Sequence, residues 1–117
     1  MDWSKPTTQL LGRYQPWHDG HTELFKRAHA KTGQVIIMLR REDGSENNPY
    51  SVTHRTKIIV HTLEAEGFKL QKDFDIIEVP NIVNITYGRD VGYAIEQERL
   101  DTDIEAISAT AIRNAKS

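Results

Sequence analysis

The chain has 117 residues, with 15 Lys and Arg against 17 Asp and Glu, and a formal net charge of −2. That length fits one domain, residues 1–117, and excludes large multidomain enzymes. The near-balanced charge gives no global attraction for nucleic acid or an anionic membrane. The absence of cysteine excludes disulfide frameworks, thiolate zinc sites and thiol nucleophiles, and fits a reducing compartment. The N-terminus, Met1 to Pro6, lacks a basic-then-apolar targeting pattern. The longest apolar run, Val35 to Leu39, falls far short of the ~20 residues that span a bilayer. The expectation is a small soluble cytoplasmic protein with no membrane and no nucleic-acid partner.

In chain order, Thr8 to Gly12 reads as a short strand. Residues 13–20 cannot be regular, because Pro16 lacks a donor and pushes Gln15 out of helix geometry. A helix follows, with Asp19 as its expected cap, Leu24, Phe25 and Ala28 as its core stripe, and Gly33 as its stop. Gln34 to Leu39 is a continuous apolar strand of the kind buried on both faces. Arg40 to Tyr50 is a polar loop carrying Asp43-Gly44 and Asn48-Pro49 turn signals. Ser51 or Thr53 then caps a second helix, with Ile58, Ile59, Thr62 and Leu63 at helical spacing and Gly67 at its end. Phe74 to Val79 is a third strand, broken by Pro80-Asn81. Ile82 to Tyr87 alternates like a fourth strand, Gly88 and Gly92 bracket an irregular loop, and Tyr93 to Leu100 is taken as a fifth strand over a helix. Ser108 caps a last helix through Ala115.

This order implies an α/β three-layer sandwich, a mostly parallel five-stranded sheet with helices on both faces. In such folds ligands sit beyond the carboxyl ends of the strands. Residues 12–21, 39–50 and 87–92 are therefore expected at one edge, with the helix from Ser108 able to close over them.

Two motifs carry chemistry. Gly12 to His21 reads G-R-Y-Q-P-W-H-D-G-H. It places His18 and His21 three apart at a helix start, where free N–H groups and the positive dipole end suit a phosphate. Gly20 would let that phosphate approach the backbone, and the imidazoles add N–H donors near developing negative charge. Taken alone, the pattern also describes two surface histidines beside a turn. Ile107 to Arg113 reads I-S-A-T-A-I-R. Ser108 and Thr110 can satisfy orphan helix donors, and Arg113 can bind phosphate through its planar fork. Taken alone, this segment also describes an ordinary capped amphipathic helix.

Together the two segments resemble the nucleotidyltransferase superfamily. The first resembles its H-x-G-H signature, in the G-R-F-Q-P-F-H form of nicotinamide-mononucleotide adenylyltransferases. The second resembles the I-S-[ST]-T-x-I-R signature of cytidylyl- and adenylyltransferases, with Ala109 where many members have Ser or Thr. Tyr87 to Tyr93 is similar to the nucleotidyltransferase-like domain fused to some adenylylsulfate kinases. The likeness runs over about residues 8–115 and implies a Rossmann-like form of the sandwich.

The resemblance implies that His18 and His21 contact the triphosphate and steady the pentavalent transition state. It implies that Ser108 and Thr110 bind phosphate or orient His18, and that Arg113 holds the phosphates that leave. Gly12, Arg13, Tyr14, Gln15 and Gly20 would surround the nucleotide, and Gly88, Arg89 and Asp90 would line its base or ribose. Arg40 or Arg41 occupies the place of the basic residue that follows the second strand. Arg55, in the first turns of the second helix where a cation is mildly unfavourable, could be held there by an anionic ligand or lie on a solvated face.

The implied reaction moves a nucleotidyl group from ATP, slightly favoured over CTP, to a small phosphate-bearing acceptor. Mg2+ accompanies the triphosphate, and no dedicated protein metal site is required. The acceptor phosphate is already anionic, so positioning and charge neutralisation carry the rate. The alternative is a non-catalytic nucleotide-binding or regulatory module of the same fold. A fragment related to class I aminoacyl-tRNA synthetases fails on length. Homo-oligomerisation is possible. Trp17 reads as a wall residue over the helix start, and Asn48-Pro49-Tyr50 as either a plain turn or part of the acceptor pocket. His29, His54 and His61 read as packing or surface groups, and the acidic run from Glu96 to Glu105 as a solvated face.

Overall fold

The computed structural model describes residues 1–41, 50–89, 92 and 94–98. Five elements follow one another: β1 (Thr8–Gly12), α1 (Asp19–Thr32), β2 (Val35–Arg40), α2 (Val52–Ala65) and β3 (Phe74–Val79). The strands form one parallel sheet in the order β1-β2-β3. Leu10 lies opposite Ile37 and Gly12 opposite Leu39, while Val35 pairs with Phe74 and Arg40 with Val79. The carboxyl ends of all three strands therefore share one edge, at Gly12, Arg40 and Val79.

The core explains why these segments fold as they do. Side chains alternate between sheet faces with period two, so Val35, Ile37 and Leu39 point one way. All three are fully buried, together with Phe25 and Ala28 of α1, Ile59 and Leu63 of α2, and Phe74 of β3. Phe25 stands edge-on to Phe68 and Phe74, with ring centroids 4.9 and 5.8 Å away. Both helices thus contribute to one cluster on one sheet face. Ile36 and Met38, on the other face, are only partly buried. Helices on both faces were expected, and the two described helices share one face, because sequential right-handed crossovers in the strand order β1-β2-β3 place them together. Gly33 ends α1 in the left-handed conformation (φ 81°), donating its N–H to His29 O at 2.7 Å. Ser51 caps α2 by accepting from His54 N at 3.1 Å.

The sheet has three strands among the described residues, against the five expected. Residues 82–87 join no strand ladder, and Val83, Ile85 and Tyr87 are exposed. Their alternation resembles a strand, but alternation stabilises a strand only where one face is buried. Residues 94–98, expected within a fifth strand, also lie outside any ladder. Their acidic side chains are not simply solvated. Lys31 of α1 meets Glu98 at 2.7 Å and Glu96 at 3.2 Å, and Arg27 lies 3.8 Å from Glu98. No helix among the described residues is long and apolar enough to cross a membrane.

Candidate active site

The segment between β1 and α1 is shaped by aromatic packing. Tyr14 takes a left-handed backbone conformation (φ 53°), which folds its ring back over the end of β1. A Cβ placed on Gly12 would lie 2.7 Å from the Tyr14 ring, so glycine is required at that crossing. The Tyr14 ring stands edge-on to His21 at 4.9 Å and tilted against Trp17 at 4.9 Å. Trp17 is buried and donates its indole N–H to Thr22 Oγ1 at 2.8 Å, closing a wall against the first turn of α1.

The two histidines form the cap of α1. His18, with an extended backbone, is the N-cap residue, and its Nδ1 accepts the N–H of Gly20 at 3.0 Å. His21 reciprocates, its Nδ1 accepting the N–H of His18 at 3.1 Å. This is a capping box built from imidazoles, where Ser or Thr with Glu or Gln is usual. Asp19, the expected cap, lies in the first turn and is exposed. Gly20, expected to let a phosphate approach the backbone, has its N–H satisfied by His18.

The bonds fix the tautomers. A nitrogen that accepts an N–H bond carries no proton, so the neutral form of each ring places its hydrogen on Nε2. The rings stack at 3.7 Å and 24°. Burial pushes the His21 imidazole down to about 3, and the neighbouring His18 ring adds to the shift. Burial also lowers His18, while Asp19 opposes the change. At neutral pH the two rings are therefore neutral, each with its proton on Nε2, at the positive end of a helix dipole.

The remaining expected residues divide into three groups. At the carboxyl edge, Arg40 donates from a terminal guanidinium nitrogen to Asn81 Oδ1, and Arg41 lies 3.3 Å from Glu78. An open depression of about 440 Å3 between Leu11, Arg40 and residues 82–85 adjoins them. Arg13, Gly88 and Arg89 lie exposed or partly exposed in loops. The second group is interior. Gln15 is buried, accepting the N–H of Tyr50 at 2.9 Å and donating to Tyr50 O at 3.2 Å. Arg55, expected either at an anionic ligand or on a solvated face, is fully buried. It donates from one terminal nitrogen to Arg13 O at 2.6 Å and Arg40 O at 2.8 Å, and from Nε to Ser51 O at 3.3 Å. Burial rules out the solvated face, and three backbone carbonyls accept from the guanidinium. The third group, Asp90, Ser108, Thr110 and Arg113, lies outside the described residues.

The histidine cap was detectable in principle, since His18 and His21 have the N-cap to N3 spacing of a capping box. The buried clamp of Arg55 had no local signal. Beside the Gln15 tie, Tyr50 stacks on His54 at 5.0 Å; away from this edge, His29 Nε2 pairs with Asp73 at 2.9 Å. A depression of about 510 Å3 lined by Met1, Asp2, Lys5 and Lys72 sits at the opposite edge of the sheet from the histidines.

A parallel α/β unit with its polar groups gathered at the carboxyl ends of its strands is the Rossmann-like class of nucleotide-binding fold. Residues 10–114 match the cytidylyltransferase-like family model, and the chain belongs to that family, within the nucleotidyltransferase superfamily. It is similar to the nicotinamide-nucleotide adenylyltransferase of Ignicoccus hospitalis, 34% identical over 74 residues that cover 62% of this chain and 43% of that protein. It is also similar to the enzyme of that name from Methanolobus tindarius, 31% identical over 94 residues, covering 72% of this chain and 53% of the relative. Among solved structures it resembles a bifunctional NMN adenylyltransferase/ADP ribose pyrophosphatase from Francisella tularensis, complexed with AMP and a Mn ion. That match has a TM-score of 0.59 and 26% identity, over 66% of this chain and 23% of the other. The chain thus spans about half or less of the length of these relatives.

Proposed function

We propose that this chain transfers an adenylyl group from MgATP to a small phosphate-bearing acceptor, with release of pyrophosphate. The observation that carries the proposal is the imidazole capping box. Two neutral rings, each with its Nδ1 held by a backbone N–H, carry their Nε2–H donors at a helix N-terminus. Such donors suit the charge that builds on phosphoryl oxygens as the phosphorus becomes five-coordinate. An acceptor phosphate oxygen attacks the α-phosphorus, the bond from the α-phosphorus to the bridging oxygen breaks, and the electron pair leaves with pyrophosphate. No proton has to be removed from the acceptor, so neutral histidines serve as donors rather than bases.

Arg13, Arg40 and Arg41 are assigned to charge neutralisation beside the histidines. Ser108, Thr110 and Arg113 are assigned to the triphosphate, and Gly88, Arg89 and Asp90 to the base or ribose. Magnesium would arrive with the triphosphate as part of the substrate and neutralise phosphate charge. The names of the relatives favour ATP over CTP and nicotinamide mononucleotide as the first acceptor to try. The test is pyrophosphate release with MgATP or MgCTP against nicotinamide mononucleotide and other small phosphate esters. Release dependent on both partners supports transfer. Binding of MgATP without release in any combination would instead assign a nucleotide-binding regulatory module.

A further inference from the structure

We propose that Arg55 is a positioning residue, whose buried guanidinium sets the spacing between the chain ends that carry Arg13 and Arg40 and so the cation geometry of the phosphate site. The inference rests on the reading of nucleotidyl transfer given above.

Three observations support it. The first is the cost of placing a cation there. Arg55 lies four residues past the N-cap Ser51 and has no solvent exposure. The positive end of a helix dipole disfavours a cation in the first turns, and burying the charge costs several kcal/mol before compensation. An apolar side chain of similar length would fill the same space without either cost. What it would lack is a donor for the carbonyls that the guanidinium holds.

The second observation is what the guanidinium holds. One terminal nitrogen spans the carbonyls of Arg13 and Arg40, at 2.6 and 2.8 Å. Arg13 immediately follows β1, and Arg40 is the last residue of β2, the neighbouring strand. Two backbone groups distant in sequence are thus fixed to one nitrogen, at the edge where both side chains leave the sheet. The planar fork supplies fixed angles that a flexible ammonium does not.

The third is a second tie between the same segments. The amide of Gln15 takes both backbone groups of Tyr50, at 2.9 and 3.2 Å. The histidine loop, the end of β2 and the start of α2 are therefore one hydrogen-bonded unit, anchored at Gln15 and at Arg55. Displacing charged groups by about 1 Å can cost on the order of 100-fold in rate. Alongside the β1–β2 ladder, the carbonyl clamp opposes such a displacement between Arg13 and Arg40.

The test compares Arg55→Met and Arg55→Lys with the wild-type chain, each normalised to its folded fraction by circular dichroism. The readout is kcat/KM for pyrophosphate release with MgATP. Positioning predicts a fall on the order of 100-fold per folded molecule in Arg55→Met, with partial recovery in Arg55→Lys. A lowered Tm with unchanged kcat/KM per folded molecule would overturn the proposal, leaving Arg55 a purely structural group. If Arg55→Met does not fold, Arg55→Lys decides alone, and wild-type kcat/KM in that variant overturns it. If the wild type releases no pyrophosphate, the transfer reading fails and Arg55 is read on MgATP affinity by calorimetry. There a loss of tenfold or more is expected, and equal affinity overturns the proposal. If the wild type does not bind MgATP, both readings fall.

Discussion

Acidification should destabilise this fold through its histidine cap, before its carboxylates begin to protonate. Each imidazole accepts a backbone N–H at Nδ1, so the protonated ring loses its bond and sets two N–H groups against each other. Burial depresses both groups in the folded state, His21 to about 3 from an ordinary value of 6.5. Below pH 6.5 the unfolded chain therefore binds protons that the folded chain refuses. The stabilisation is fully present above pH 6.5 and is lost as the pH falls through that value toward about 3. One such group changes stability by about 1.4 kcal/mol per pH unit. Between pH 6.5 and 5 the His21 contribution is about 2 kcal/mol, reduced to about 1–2 by the partial solvent access of the ring. His18 acts with the same sign. Asp73, held low by the Lys69 N–H and by His29 against its own partial burial, loses its stabilising effect only at lower pH and stays outside this window. A loss of 1–2 kcal/mol corresponds to roughly 4–10 °C in Tm for a domain of this size. Thermal melts by circular dichroism from pH 7.5 to 5 measure the slope in the wild type and in His21→Asn, which has no titrating ring at that position. The variant should show a visibly smaller slope. Equal slopes, or a wild-type Tm that stays level down to pH 5, would refute the capping argument.

The other predictions concern the walls of the site and the core beneath it. Gly12→Ala drives a methyl group to 2.7 Å from the Tyr14 ring. It should cost about 1–3 kcal/mol in urea unfolding, as overpacking does. Thr22→Val removes the acceptor of the buried Trp17 N–H, and about 1–3 kcal/mol should be lost for the same reason that any buried donor needs a partner. Phe25→Ala deletes a fully buried ring between Phe68 and Phe74 and should cost about 3–5 kcal/mol, read by the same denaturant titration. Lys31→Ala removes a cation that meets Glu96 and Glu98 at the surface. Its Tm should change by no more than a few degrees, because exposed pairs contribute about 0–1 kcal/mol.

The framework of the fold was legible where one physical effect dominated. The apolar run from Val35 to Leu39 is a strand that buries Val35, Ile37 and Leu39 on one face and only partly covers Ile36 and Met38 on the other, so the strand was legible but the cover on its two faces was not. Gly33 supplies the left-handed residue that its helix end requires. Residues 82–87 misled for the complementary reason. Their alternation indicates where a strand could lie, yet strand formation also requires a paired edge and a covered face, neither of which is local. At the site, the histidine pair and its place at a helix start were legible from His18-x-Gly20-His21. Its role as the cap was obscured by Asp19, the residue type that ordinarily does that work. Arg55 was the hardest to read. Two of its partners lie 42 and 15 residues away in the chain, and nothing around position 55 marks an arginine that will hold the carbonyls of two strand ends.

The central claim is that the capped imidazoles donate to phosphoryl oxygens during nucleotidyl transfer. It is tested most directly by pyrophosphate release from MgATP and nicotinamide mononucleotide in the wild type and in His21→Ala, each corrected for folded fraction. Removal of one preorganised donor should lower kcat by about 100- to 1,000-fold. Near-normal turnover in folded His21→Ala would contradict the claim.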